Sequence, residues 1–165
     1  MKVIEIKNLE KVYNETSIPV YAVNGIDLSF ERGEFSAIVG PSGCGKTTLL
    51  NLIGGLDYPT KGEIVIGKTV INNLKEKDLI DFRLNNIGFV FQDYNLIPVL
   101  TAEENIEFIL ELQGWDKKKI KDRSSELLES VGLYDRRNNK PSELSGGQQQ
   151  RVAVARALAP KPEFV

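Results

Sequence analysis

Gly40-Pro-Ser-Gly-Cys-Gly-Lys-Thr-Thr48 is the stretch that decides the fold. An apolar run, residues 35–39, precedes it, and a run of helical character, residues 47–53, follows it. The order is G-x-x-x-x-G-K-[ST], a phosphate-cradling loop set between a strand and a helix. Glycines let backbone N–H groups turn toward phosphate oxygens with no Cβ in the way. The helix behind offers its unpaired N–H groups and the positive end of its dipole. Lys46 can reach the outer phosphates, and the Thr47 hydroxyl can ligate Mg2+. An ordinary glycine-rich turn is the bland alternative, and the strand before and helix after make it the poorer one.

Toward the N-terminus, Ile26, Leu28 and Phe30 alternate with Asp27, Ser29 and Glu31, the pattern of a half-buried strand. Residues 3–9 read as a first strand, with Ile4 and Ile6 on one face and Glu5 and Lys7 on the other. Tyr13 stands at its end, before the polar stretch 14–17. The run 35–39 is nearly all apolar, as a central strand covered on both faces should be. Toward the C-terminus, Gly54-Gly55 stops the helix, residues 57–62 turn, and residues 63–66 form a short strand. Residues 74–84 read as a helix with Leu79 and Phe82 on one face, and residues 87–91 as a buried strand that delivers Gln92 at its carboxyl end. In open α/β sheets the ligand crevice lies at those ends. Standing alone, Gln92 would read as a solvated loop glutamine.

After Gln92 the character changes. Thr101-Ala-Glu-Glu104 is a capping box, and Ile106, Ile109 and Leu110 give the helix behind it an apolar stripe that Gly114 ends. A second amphipathic helix, residues 116–131, turns Ile120, Leu127, Leu128 and Val131 inward and stops at Gly132. Lys117-Lys-Lys119 reads as a solvated face and Trp115 as an anchor for the helix pair. Ser145 and Gln148 fit a further capping box, opening a helix with Val152, Ala155 and Leu158 at helical spacing and Pro160 and Pro162 behind it. Gly146 and Gly147 at that N-terminus fit either a plain capped helix or a second anion site. Residues 163–165 look like the start of a strand. The division expected is a nucleotide-binding core over 1–92, a helical subdomain over 93–145, and a helix with the start of the next core strand over 146–165.

Bulk properties narrow the class. With 21 basic and 23 acidic residues the net charge is −2, so no strong basic field announces nucleic acid. The single cysteine, Cys44, excludes an internal disulfide and fits a reducing compartment. No apolar run nears the roughly 20 residues of a membrane span, and the charged N-terminus does not fit a signal peptide.

Tyr13, Gly40 to Thr48, Gln92 and Leu144-Ser-Gly-Gly-Gln148 stand in an order that resembles the nucleotide-binding subunit of an ABC transporter, over essentially the whole chain. Leu144-Ser-Gly-Gly-Gln148 discriminates, because other P-loop families lack it. The resemblance implies an α/β P-loop NTPase core: a mixed sheet with parallel central strands, an N-terminal antiparallel β-subdomain and an inserted helical subdomain. It implies ATP and Mg2+ as ligands. Tyr13 would stack on adenine. Gly40, Ser42, Gly43, Cys44, Gly45, Lys46, Thr47 and Thr48 would hold the phosphates. Thr47 and Gln92 would complete the Mg2+ shell, with Gln92 also sensing the γ-phosphate and, with Lys46, serving catalysis. Ser145, Gly146, Gly147 and Gln148 would hold the γ-phosphate of a nucleotide bound to a second subunit in a head-to-tail homodimer. Residues 93–100 would dock an integral-membrane permease subunit, placing the protein in the cytoplasm against the inner face of the membrane.

Gly54-Gly-Leu-Asp-Tyr-Pro-Thr-Lys-Gly-Glu63, Ile87-Gly-Phe-Val-Phe-Gln-Asp-Tyr-Asn-Leu-Ile-Pro98 and Pro141-Ser-Glu-Leu-Ser-Gly-Gly-Gln-Gln-Gln-Arg-Val152 resemble the group serving lipoprotein release, macrolide efflux, antimicrobial-peptide resistance and cell division. Two departures stand out. Cys44 replaces the usual serine-like residue, a size-matched change that would make binding sensitive to alkylation. In the family, a strand beginning like 163–165 continues to a Mg2+-coordinating Asp and a catalytic Glu, with a γ-phosphate-sensing His later; this chain has no histidine. The expectation is a chain cut before those elements, with negligible turnover. The competing readings are a nucleotide-dependent scaffold without useful turnover, and a P-loop GTPase or recombinase, which residues 144–148 disfavour.

Overall fold

Alternating side chains lay down the first strand, β1 (Lys2–Tyr13), which buries Ile4, Ile6 and Leu9 and leaves Lys7 exposed. The computed structural model describes residues 2–14 and 17–165; Met1, and Glu15 and Thr16 of the polar stretch after β1, lie outside the described residues. β1 pairs antiparallel with β2 (Val20–Glu31) on one side and β3 (Lys61–Ile66) on the other. A short β4 (Thr69–Val70) completes a sheet of order β2-β1-β3-β4. β2 begins well before the alternation that marks it in the sequence, and its apolar face is only partly covered, with Ile26 half-buried and Leu28 exposed.

Between β2 and β3 lies α1 (Lys46–Ile53), which buries Leu49, Leu52 and Ile53. Its last turn closes through Gly54 N–H on the Leu50 carbonyl and Gly55 N–H on the Leu52 carbonyl, as the glycine pair foretells. α2 (Glu76–Asn86) runs two residues later than its apolar spacing indicates, with Leu79 buried and Phe82 half-buried. The chain divides into two compact units, Met1–Ile80 and Asp81–Val165.

The second unit is built on three helices. α3 (Ala102–Leu112) and α4 (Lys117–Ser130) pack with α5 (Gly146–Leu158) around Ile106, Leu110, Ile120, Leu128 and Val152. Both expected capping boxes form. Thr101 Oγ1 accepts from Glu104 N–H at 3.2 Å, and Glu104 accepts from Thr101 N–H at 2.7 Å. Trp115 packs against this core, as an anchor should. Lys117, Lys118 and Lys119 are exposed. Arg123 of α4 donates to the Leu158 and Ala159 carbonyls, satisfying acceptors that the end of α5 leaves open.

Three expectations need correction. Residues 35–39 do not form a buried strand: Phe35 is 100% and Val39 89% exposed. A strand is held by neighbours about 4.8 Å to each side, and among the described residues none pairs with this run. Apolar composition records what a segment can bury, not whether cover is present. Residues 87–91 do not form a buried strand either: Val90 is 41% exposed, and among the described residues the run pairs through one parallel bridge, Ile87 to Phe164, with Gly88 N–H donating to the Phe164 carbonyl at 2.9 Å. The third correction is Leu158, which faces solvent, while Ala159 is buried in its place. Ala155 and Ala159, four apart, share one helix face, and three-residue steps from Val152 overshoot it.

Asn105, fully buried on α3, holds the segment that leads into that helix. Its amide accepts from Ile97 N–H at 2.8 Å and donates to the carbonyls of Ile97, Leu100 and Thr101 at 3.2, 3.2 and 2.9 Å. Asn105→Ala leaves these groups without partners and is expected to destabilise the fold by about 2–4 kcal/mol. Denaturant unfolding checks this; a loss below about 0.5 kcal/mol, the range of an inert surface change, would show that water satisfies the segment instead.

Candidate functional site

The phosphate loop is shaped by Gly45. This residue is the N-cap of α1 and adopts φ +90°, the left-handed region. A Cβ there would run into the Ala22 carbonyl oxygen on β2. Only glycine accepts both demands. Its consequence is an α1 N-terminus with no side-chain cap. Among the described residues, no acceptor is found for the amide N–H groups of Gly45, Lys46, Thr47 and Thr48. Native helices satisfy such groups with a cap, water or a ligand, and the dipole makes an anion the favourable choice. Gly43, with φ +80°, has open space where a Cβ would stand.

Lys46 folds back over the loop. Its ammonium donates to the carbonyls of Gly40 and Pro41 at 2.9 and 2.7 Å and lies 3.6 Å from Cys44 Sγ. These acceptors are neutral, so phosphate oxygens would compete with them favourably. The Thr47 and Ser42 side chains are exposed, and Cys44 is a free, exposed thiol. The donor set fits a nucleoside triphosphate: a ring of N–H groups, an ammonium and a hydroxyl for Mg2+.

Tyr13 belongs to the same unit. Its hydroxyl donates to Asp57 Oδ2 at 2.8 Å and lies near the side chain of Thr48, on the first turn of α1. The hydrogen bond to Asp57 holds the phenol above its usual range. Partial burial pushes the Asp57 carboxyl up, but hydrogen bonds from Lys11, Tyr13 and the Tyr58 amide outweigh it and hold the carboxyl below its ordinary value. The structure therefore brings Tyr13 together with the phosphate loop.

The second unit holds the remaining candidates. Gln92 is exposed in a turn closed by Tyr94 N–H on the Phe91 carbonyl at 3.1 Å. Tyr94 and Asn95 both adopt left-handed backbone, φ +61° and +45°. Arg156 of α5 fixes them, donating to the Tyr94 carbonyl at 2.8 Å and the Asn95 carbonyl at 2.6 Å. Burial lowers the proton affinity of this guanidinium, which stays charged all the same. Ser145 caps α5: its hydroxyl accepts from Gln148 N–H at 3.3 Å, and its own N–H donates to Gln148 Oε1 at 2.8 Å. Gln148 is thus occupied locally. Gly146 and Gly147 are exposed, neither has a positive φ, and a Cβ at Gly147 would meet nothing within 4 Å. Glycine is a poor helix former, and no neighbour among the described residues requires the pair.

Sequence reasoning missed Lys11, Asp57, Asn105 and Arg156. Lys11 and Asp57 stand 46 residues apart, and Arg156 reaches back 62 and 61 residues, beyond any local pattern; Asn105 reaches back eight, five and four, to a segment without periodicity.

The sequence model of the ABC transporter family matches residues 23–165. The chain belongs to that family. An uncharacterized ABC transporter ATP-binding protein of Thermotoga maritima is 47% identical over 164 residues, 99% of this chain and 70% of the relative. The lipoprotein-releasing system ATP-binding protein LolD of Bacteroides thetaiotaomicron is 45% identical over 162 residues, 98% of this chain and 72% of LolD. Among solved structures, the dimeric post-hydrolysis state of the ATP-binding cassette MJ0796, bound to ADP and Pi, superposes with a TM-score of 0.90 at 45% identity, over 96% of this chain and 70% of that one. The fold class is therefore that of an ABC cassette, mixed α/β with antiparallel N-terminal strands and helices. The chain is an ATP-binding subunit of this family.

Gly45→Ala is expected to lower ATP affinity roughly 10- to 100-fold, because it costs the strain of a left-handed alanine. Lys46→Ala should weaken binding by at least about tenfold through loss of a charge-assisted donor. Calorimetric titration with ATP checks both, and unchanged affinity in either variant would remove these residues from the site. Maleimide treatment of Cys44 should block ATP binding, and bound ATP should protect the thiol.

Proposed function

We propose that this chain binds Mg–ATP between Tyr13 and residues 40–48 and works as the energy-converting half of a membrane complex. The observation that carries this reading is the uncapped N-terminus of α1, held open by Gly45 and backed by Lys46. In this reading the N–H groups of residues 43–48 and the Lys46 ammonium take the β- and γ-phosphate oxygens. Thr47 and Gln92 hold Mg2+, which when bound neutralises charge on the outer phosphates. Tyr13 stacks on the adenine.

Ser145, Gly146 and Gly147 take the γ-phosphate of a nucleotide held by a second copy. Two small residues that nothing in the described chain requires favour close approach by a ligand from outside. Gln148 serves this site through Ser145, whose N–H it holds. The working unit is then a head-to-tail homodimer closing on two ATP. Residues 93–100 are assigned to docking of an integral-membrane permease, which places the protein on the cytoplasmic face of the membrane. None of the helices among the described residues is long and apolar enough to cross one. The coupled work is export or envelope mechanics, of the kind LolD's name describes for that relative. The functional division follows the motifs: nucleotide core 1–92, helical subdomain 93–145, signature helix and following segment 146–165.

Neither Lys46, a cation, nor Gln92, an amide, can take a proton from water. No carboxylate is among the residues that this reading assigns to the nucleotide, so we assign no general base, and the 165 residues alone should bind ATP without useful turnover. Steady-state ATP turnover with Mg2+ tests this. None is expected; turnover that disappears in Lys46→Ala would place a base within these residues and overturn the assignment. In the dimer-forming protein, Ser145→Arg should spare ATP binding and abolish ATP-dependent dimerisation in size-exclusion chromatography. Dimerisation that survives would remove residues 145–147 from the second half-site.

A further inference from the structure

Lys11 and Tyr13 lie two apart on β1, and both side chains reach one carboxylate. Asp57, in the turn after α1, receives both. Its Oδ2 takes the Tyr13 hydroxyl at 2.8 Å, and its Oδ1 takes the Lys11 ammonium and the Tyr58 N–H, each at 2.7 Å. Lys11 also donates to the Tyr58 carbonyl at 2.7 Å, and its ammonium sits 4.9 Å from the centroid of the Tyr13 ring. The side chains of Lys11 and Asp57 are only 13% and 30% exposed, so this pair is partly shielded from solvent. Thr60 N–H donates to the Glu10 carbonyl at 2.8 Å, and Val12 N–H donates to Thr60 Oγ1 at 3.0 Å, stapling the same turn to β1.

Tyr13 is 40% exposed, and a tyrosine that open would ordinarily sample several rotamers. Here it is held twice: through its hydroxyl by Asp57, and across one ring face by the Lys11 ammonium. A ring fixed in plane loses less entropy when a base stacks on it. The turn that carries Asp57 follows α1 directly, and Thr48 of α1 lies near the same hydroxyl. The ring is therefore held from β1 and from the turn that follows α1, within reach of the phosphate loop.

We propose that Asp57 and Lys11 are positioning residues for base recognition: they lock Tyr13 at a fixed attitude to the phosphate loop, with Lys11 covering one face and the base stacking on the other. Through this lock the protein gains affinity for the base of the nucleotide and none for its phosphates. The proposal rests on the reading of Tyr13 as the base-stacking residue.

The test is calorimetric binding by the full chain of a non-hydrolysable ATP analogue and, separately, of inorganic tripolyphosphate. Tyr13→Ala should weaken the ATP analogue on the order of tenfold, the loss of one base stack, and leave tripolyphosphate unchanged. Tyr13→Phe, which keeps the ring and removes the anchor, and Asp57→Ala should each weaken the analogue several-fold with tripolyphosphate unchanged. Asp57→Ala should add nothing in the Tyr13→Ala background. Full affinity in Tyr13→Phe would overturn the proposal, as would equal loss of both ligands in Asp57→Ala, the mark of a turn that only supports the fold. Unchanged analogue binding in Tyr13→Ala would instead overturn the stacking assignment itself, and with it the lock.

Discussion

The backbone of Gly45, left-handed and pressed against the Ala22 carbonyl of β2, is the constraint on which the phosphate loop depends. A Cβ would push the loop off the strand, and a right-handed backbone would turn the helix entry away. With that single residue in place, α1 begins without a cap, and its first N–H groups stay open to a ligand. In the free protein water can meet these N–H groups, and an anion competes for them with the helix dipole in its favour. A site built this way is stabilised by its anion.

The second unit uses another device. The segment between Gln92 and α3 has no regular structure, yet Asn105 and Arg156 bond its carbonyls at Tyr94, Asn95, Ile97 and Leu100. A loop tied so often to two helices moves with them rather than independently. Since Arg156 belongs to the helix that Ser145 opens, the turn bearing Gln92 and the glycine pair at 146–147 share one rigid support.

Local patterns carried much of this. The capping boxes at Thr101 and Ser145, the stops at Gly55, Gly114 and Gly132, and the apolar stripes of α3 and α4 follow from neighbours within four residues, and all are present. The phosphate loop is legible for the same reason, since glycine, lysine and threonine act within one turn of each other. Asp57 was legible only as part of a turn. Its role comes from Lys11 and Tyr13, 46 and 44 residues earlier, and no periodicity joins positions so far apart.

What the sequence by itself determined is the chemistry and its order: a phosphate loop, a glutamine after an apolar run, a capped helix opened by two glycines, and the family these imply. Local interactions set these, because hydrogen bonds and glycine conformations within a few residues depend little on the rest of the chain. Tertiary structure alone decided what surrounds them. It left residues 35–39 exposed despite an apolar composition, turned Leu158 outward in favour of Ala159, and joined Tyr13, Lys11 and Asp57 into one unit. Burial and long-range hydrogen bonds depend on which segments meet, and that is a property of the folded chain rather than of any stretch within it.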